Sequence, residues 1–331
     1  MRREATFATV LCLLWSVTMF GQTPVAPPTE TIAPSIPGVV AAGTKVEIVL
    51  VLPEAQNKFQ STEGPTGMPD GSLLFAESNR ITKIDKDGKA STFLENTNRS
   101  NGLALDSKGR LISTQTTPGN AKVGVLYPKG SETVLADNFE GKPYNRPNDL
   151  VVDKKDGVYF TEFSFPVPAA PGSALPGVYY ISPSGQPMKV ADASEPTVID
   201  RPNGIMLSPD EKTLYVDTNS EYMLAFDVQP DGTLQNRRNF ARYEKIPKDP
   251  PARGLGADGM AVDSQGRIYA ATAVGIQVYS PTGQHLGIIP TSRRPQNLAF
   301  AGPDKKTLYI SAGGVIFKAQ MIAQGYKGRA R

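Results

Sequence analysis

One phrase, repeated at regular intervals, restricts this chain more than any other feature. An oxygen-bearing residue is followed by an apolar strand, a tight turn and a second strand. Asn148-Asp149-Leu150-Val151-Val152-Asp153 leads through Asp156-Gly157 into Val158-Tyr159-Phe160-Thr161-Glu162. Asn101-Gly102-Leu103-Ala104-Leu105-Asp106 leads through Lys108-Gly109 into Arg110-Leu111-Ile112-Ser113. The same happens from Asn203-Gly204-Ile205 through Pro209-Asp210 to Thr213-Leu214-Tyr215-Val216, and from Asp258-Gly259-Met260 through Gln265-Gly266 to Arg267-Ile268-Tyr269-Ala270. Units open near Glu63, Asn101, Asn148, Asn203, Asp258 and Gln296, and their spacing of roughly 40–55 residues is that of a four-stranded propeller blade. Outer hairpins turn at Asp87-Gly88, Lys129-Gly130, Ser184-Gly185, Asp231-Gly232 and Thr282-Gly283, which supply the positive-φ residues such turns need. The expected fold is all-β, a six-bladed β-propeller over residues 45–331. Its last unit is one strand short. The isolated run Lys45–Leu52 can supply that strand, pairing the two ends of the chain and removing a free sheet edge.

Composition agrees with this reading. The 331 residues include 31 Gly and 29 Pro without collagen periodicity, which suits short strands and turns and not a helical bundle. The net charge of +3 is small, and Lys and Arg are scattered through turns beside Asp and Glu, which reads as a solvated surface and not as a nucleic-acid face. Met1–Gly21 reads as a secretory signal: Arg2 and Arg3 precede an apolar stretch, Val10–Phe20, that is too short to span a bilayer. The expectation is a periplasmic or secreted protein with no membrane span once the signal is removed; the alternative is that the same segment is kept uncleaved as an anchor. The single cysteine, Cys12, lies inside that signal, so the mature chain has no disulfide, thiolate ligand or cysteine nucleophile. Residues 22–44, with Pro24, Pro27, Pro28, Pro34 and Pro37, read as an extended tether. The longest departures from the repeat, Phe163–Pro176 and Tyr243–Gly256, read as rim loops, either lids or decoration.

In a propeller, equivalent positions of the inner strands meet at the mouth of the central channel. Glu63, Asn148, Asn203 and Asp258 occupy such positions and form an all-oxygen set with two carboxylates. That is chemistry for a hard cation, and Ca²⁺ accepts irregular oxygen shells more readily than Mg²⁺. The plainer alternative is that Asn, Asp and Gly merely cap turns ahead of strands. Asn101 and Gln296 stand near the same register, where Asn101 is a candidate for substrate contact or a turn cap. A soft-metal site has no support, because His285 is the only histidine and sits in an outer hairpin turn.

Several of these segments together resemble one family. Glu63-Gly64-Pro65, Arg146-Pro147-Asn148-Asp149, Arg201-Pro202-Asn203-Gly204 with Ser208-Pro209-Asp210, and Asp258-Gly259-Met260 fit the pattern of the gluconolactonase, senescence-marker-protein (regucalcin) and luciferin-regenerating-enzyme family. The resemblance runs from Glu63 to Phe317 and implies a six-bladed propeller with a divalent cation held by Glu63, Asn148, Asn203 and Asp258. That ion would be Ca²⁺ or another divalent cation such as Zn²⁺, Mg²⁺ or Mn²⁺. The implied activity is hydrolysis of sugar lactones or related small esters, the metal polarising the carbonyl while Asp258 orients or deprotonates the attacking water. Arg146 would bind substrate hydroxyls or a carboxylate, its alternative being a surface ion pair. Glu162 stands where many relatives have Asp, and is either a substrate contact or a plain strand residue.

Two departures bear on the chemistry. Gln115 stands near where many relatives have a histidine, and Phe163–Pro176 lacks a Pro-Pro-Tyr-Gly-like segment. Two other functions share this face: a non-catalytic propeller binding a ligand or partner, and another reaction on a sugar acid at the same metal. A partner-binding face has no need of a carboxylate such as Asp258 beside a cation, which separates the readings.

Overall fold

The computed structural model describes residues 26–56, 61–163, 170–194, 199, 201–218, 220–245 and 257–328. Six antiparallel sheets form the blades of a propeller. The inner strands, in chain order, are Thr62–Gly67, Ser100–Leu105, Pro147–Val152, Ile205–Leu207, Met260–Val262 and Asn297–Ala301. In the first five blades three further strands follow outward in sequence order, so that each blade is a meander.

The sixth blade is completed by the N-terminal strand. Lys45–Val51 pairs antiparallel with Val315–Gln320, Val46 opposite Ala319 and Val51 opposite Val315. Closure is therefore carried by hydrogen bonds between the two ends of the chain, as the missing strand required. Thr31–Ile32 adds a short fifth strand outside it.

The segment read as an extended tether is more than that, and the expectation is corrected for its described part, 26–44. Ala33, Ile36, Val39 and Val40 are buried in the core that joins the fifth and sixth blades. A bend closes between them, with Val40 N donating to Ile36 O at 3.0 Å. Gly287, in the outer strand His285–Ile289, makes room: a Cβ there would come 2.8 Å from the Ile36 side chain. The prolines dominate the composition, but four apolar residues among them decide where the segment goes. The signal read at Met1–Gly21 lies outside the described residues, as do 164–169 and 246–256 in the two rim loops. No helix among the described residues is long and apolar enough to cross a membrane.

The core lies between neighbouring blades, where the flat sheets face one another. Tyr269 of the fifth blade packs edge-on against Phe300 of the sixth, ring centroids 5.1 Å apart. Tyr159 of the third blade donates its hydroxyl to Gly232 O of the fourth at 2.9 Å. The turns between first and second strands share a side-chain cap. Asp106, Asp153 and Asp263 each accept backbone N–H bonds from the turn that follows them. These turns mark the end of the channel opposite to the strand starts.

Candidate metal and substrate site at the channel mouth

The inner strands are bent where they begin. In blades one to three the pairing with the second strand slips by one residue, between Glu63 and Thr66, Ser100 and Leu103, and Pro147 and Leu150. Each slip is a β-bulge, and a bulge re-aims the side chains at its position. Here the residues concerned include Glu63, Asn101 and Asn148. The strand starts also crowd together. A Cβ on Gly64 would stand 2.3 Å from Asn101 O, and one on Gly204 2.0 Å from Asp258 O. Only glycine lets adjacent backbones approach so closely, which accounts for the Gly after the oxygen-bearing residue in the repeat.

Glu63, Asn101, Asn148, Asn203 and Asp258 are all half-buried at these strand starts. Asn148 Nδ2 donates to Asn203 Oδ1 across the third and fourth blades. Glu63 Oε1 accepts a bond from Gln296 Nε2 at 2.9 Å, which links the first blade to the sixth. Electrostatics tie the other members together. Burial raises the pKa of Glu63 well above its ordinary value, and the Asp258 and Asp149 carboxylates push it further. Burial also raises Asp217; the Tyr243 hydroxyl bonded to its Oδ1 offsets part of this, while Asp258 and Asp149 again add to it. Four carboxylates thus act on one another around one mouth.

Asp149 and Asp217 were missed by sequence reasoning. Asp149 is 2% exposed, and its carboxylate accepts from its neighbour Leu150 N at 3.1 Å and from Ile205 N of the next blade at 3.4 Å. Asp217 follows the second strand of the fourth blade, at the position that Glu77, Gln115 and Glu162 hold in the first three. Aligning the ends of the second strands as well as the starts of the first would have found it.

Two threonines, also missed, hold the strand starts in place. Thr114 Oγ1 accepts from Gly102 N at 2.7 Å and donates to Asn148 O. Thr161 Oγ1 accepts from Asp149 N at 3.1 Å and donates to Asn203 O at 2.7 Å. In both cases a hydroxyl from the second strand of one blade pins the backbone of the candidate ligand in the next.

Arg146 is exposed at the rim, 5.7 Å over the ring of Phe163. Burial of its neighbourhood and the nearby Arg99 lower its pKa, with Glu162 acting the other way. Glu162 itself is 1% exposed. Its Oε1 accepts the backbone N–H groups of Asn145 and Arg146 at 3.1 and 2.6 Å, so it grips the turn that carries Arg146. Burial raises its pKa to about 8, against the pull of those two bonds and of Arg146. Gln115 is buried and accepts from Asn98 Nδ2 at 3.1 Å. His285, read as part of an outer hairpin turn, instead opens the outer strand that follows the turn in the fifth blade, its ring edge-on to Tyr279 at 5.5 Å.

The chemistry of the donor set fits a hard divalent cation. Among the described residues no three His, Cys, Asp or Glu side chains gather closely enough to hold an ion alone. An ion at this mouth has to draw on the amide oxygens of Asn148 and Asn203 together with Glu63 and Asp258. Repulsion among the carboxylates is the electrostatic condition that a positive ion relieves.

Comparison with known proteins agrees with the fold and the repeat. Residues 61–314 match the family profile described as the SMP-30/gluconolactonase/LRE-like region. A gluconolactonase of Zymomonas mobilis is 29% identical over 306 residues, covering 85% of this chain and 82% of its own. Among solved structures, a gluconolactonase from Xanthomonas campestris superposes with a TM-score of 0.74 at 27% identity, covering 90% of this chain and 99% of its own. Regucalcin from Agrobacterium tumefaciens, described as a calcium-binding protein, superposes with a TM-score of 0.63 at 17% identity, covering 85% and 97% of the two chains. With its blades, its repeat and its strand-start residues in this company, the chain belongs to the SMP-30/gluconolactonase/LRE-like family.

Proposed function

We propose that the protein is an exported sugar lactonase that works with a divalent cation of the Ca²⁺ type. What supports this reading most is that Asn148 bonds to Asn203 across two blades, while the Asp258 and Asp149 carboxylates act on the buried Glu63. Gluconolactonase as the name of relatives in sequence and structure supports the substrate class. The calcium-binding description of the regucalcin neighbour and the oxygen donors support the ion. Export rests on the signal-like segment Met1–Gly21.

When bound, the cation supplies Lewis acidity toward the lactone carbonyl. Glu63, Asn148 and Asn203 hold their oxygens in place, fixed from behind by Gln296, Thr114 and Thr161. Asp258 accepts the proton of the attacking water as general base and directs that water at the carbonyl carbon. Arg146 binds hydroxyl oxygens of the sugar, its turn held by Glu162. The ring C–O bond then breaks as the leaving oxygen takes back the proton held by Asp258, which regenerates the base and frees the sugar acid.

Hydrolysis of a panel of sugar lactones by the purified protein tests this, with EDTA, with Ca²⁺ restored, and with Asp258→Asn. Turnover that disappears with EDTA, returns with Ca²⁺ and falls at least 100-fold in the variant is the expected result. No turnover on any lactone, although Ca²⁺ raises the melting temperature, would leave a cation-stabilised binding propeller instead.

A further inference from the structure

Register puts the two acidic candidates on either side of one blade. Glu63 opens the first blade and Asp258 stands just ahead of the inner strand of the fifth, and the sixth blade lies between them. At the same position the sixth blade has no acid. It has two consecutive amides, Gln296 and Asn297, only 4% and 2% exposed.

Gln296 gives each of its polar groups to a different neighbour. Its Nε2 donates to Glu63 Oε1 at 2.9 Å and to Ser61 Oγ at 3.2 Å. Its Oε1 accepts from Gly313 N at 2.8 Å and from Thr62 N at 3.4 Å. Its main-chain oxygen accepts from Gly259 N, the residue after Asp258, at 2.6 Å. The amide cannot be turned round: with its oxygen on two backbone donors, only its NH₂ end can face a carboxylate. A glutamate at this place would set an acid against Glu63 in place of a donor. Asn297 adds a further side-chain hydrogen bond to Glu63. Gly259 leaves the space for it, since a Cβ there would come 2.0 Å from Asn297 Oδ1. The sixth blade therefore holds the backbone beside one acid and the carboxylate of the other.

The same amide leads to the closure of the ring. Gly313 and Gly314, with φ of 59 and 85°, turn the chain between the last two strands of the sixth blade. Gly314 O accepts from Leu52 N at 2.9 Å, directly after the closing strand Lys45–Val51. One glycine turn and one amide thus separate the end of the closing strand from the carboxylate of Glu63.

We propose that Gln296 is the positioning residue of the cation site: it fixes Glu63 relative to Asp258 without itself holding the ion, and through Gly313 it ties cation affinity to closure of the ring. This rests on the cation reading of the mouth and adds what sets the affinity there. Linkage is reciprocal, so a closed ring that favours the cation is itself favoured by it.

Titration calorimetry of the purified protein with Ca²⁺ and with Mn²⁺ is the first readout, and it needs no turnover. Gln296→Met keeps the length of the side chain and removes its donor. Ca²⁺ affinity should fall roughly 10- to 100-fold, the range for groups that orient a metal ligand. Ser311→Ala removes a different bond of the same blade, from the Ser311 hydroxyl to Asn297 O, and should leave the affinity nearly unchanged. Binding by the wild type with the same affinity in Gln296→Met would overturn the assignment alone, as would equal losses in the two variants. No binding of either ion by the wild type would overturn the cation reading of the mouth and this assignment with it. Hydrogen exchange of the wild type keeps the proposal open to refutation even where Gln296→Met does not fold. Ca²⁺ should slow exchange in Lys45–Val51 and Val315–Gln320 more than in Leu234–Arg242, the outer strand of the fourth blade. Uniform protection, or none in the closing pair, would overturn the link to ring closure.

Discussion

Asn148 donates a hydrogen bond from its side-chain nitrogen to the side-chain oxygen of Asn203, a residue 55 positions further along the chain. Each opens the inner strand of its own blade, and the bond couples the two candidate ligands directly. Ca²⁺ at 100 times its dissociation constant is expected to stabilise the wild type by about 2.7 kcal/mol. Asn148→Ala and Asn203→Ala should each remove most of this increment. The double variant should lose little more than either single one, because residues in contact are not additive. Calorimetric melting with and without Ca²⁺ reads the increments. Independent, summing losses would mean that the two asparagines do not serve one ion.

Thr161 is expected to matter through Asn203 and not through any contact of its own with substrate. Thr161→Val keeps the shape but removes the bonds to Asp149 N and Asn203 O. Leaving these two backbone groups unpaired should destabilise the fold by roughly 1–3 kcal/mol. Ca²⁺ affinity should fall with it, while Thr161→Ser restores both. Urea unfolding and a Ca²⁺ titration separate the effects. Unchanged Ca²⁺ affinity in a destabilised Thr161→Val would reduce the residue to a structural brace.

The sequence made the propeller legible because each blade writes the same turn and strand pattern, and Glu63, Asn148, Asn203 and Asp258 could be lined up by register alone. Asp149 and Asp217 escaped for physical reasons. Asp149 looks like half of a turn pair, and nothing local reports that its charge acts on Glu63 and Asp217 in other blades. Asp217 ends a second strand, where the meander brings it back to the mouth. Thr114 and Thr161 have ordinary strand propensities; their role comes from which backbone carbonyl the next blade places beside them. The same averaging concealed Ile36 and Val40 among prolines.

Glu162 predicts a specific pH dependence. Its folded pKa is raised to about 8, chiefly by burial, whereas an exposed glutamate titrates near ~4.3. Between these values the folded state holds a proton that the unfolded state has lost. The stabilising contribution is therefore complete below the unfolded value and disappears as pH rises through about 8. Glu162→Gln cannot ionise, and the melting temperature of the variant relative to wild type should climb steadily from pH 4.5 to about 8 and then level off. Melting across that range is the measurement. A difference between the two proteins that stays constant with pH would show that the buried carboxylate does not titrate there.

The N-terminal segment should separate into two parts with different consequences when removed. Ile36 is 1% exposed among the apolar side chains of the sixth blade and its neighbour, so Ile36→Ala should cost about 2–4 kcal/mol in urea unfolding. A free tether would show almost no change. Deleting residues 1–44 removes this packing but keeps Lys45–Val51 on Val315–Gln320, and the ring should still close with reduced stability. Deleting residues 1–52 removes the closing strand as well and leaves Val315–Gln320 as an unpaired edge. Such an edge invites pairing between molecules, so the shorter protein should elute as aggregates in size-exclusion chromatography while the longer one remains discrete. Equal behaviour of the two deletions would mean that closure of the ring depends on the contacts of Ile36, Val39 and Val40 as much as on the strand itself.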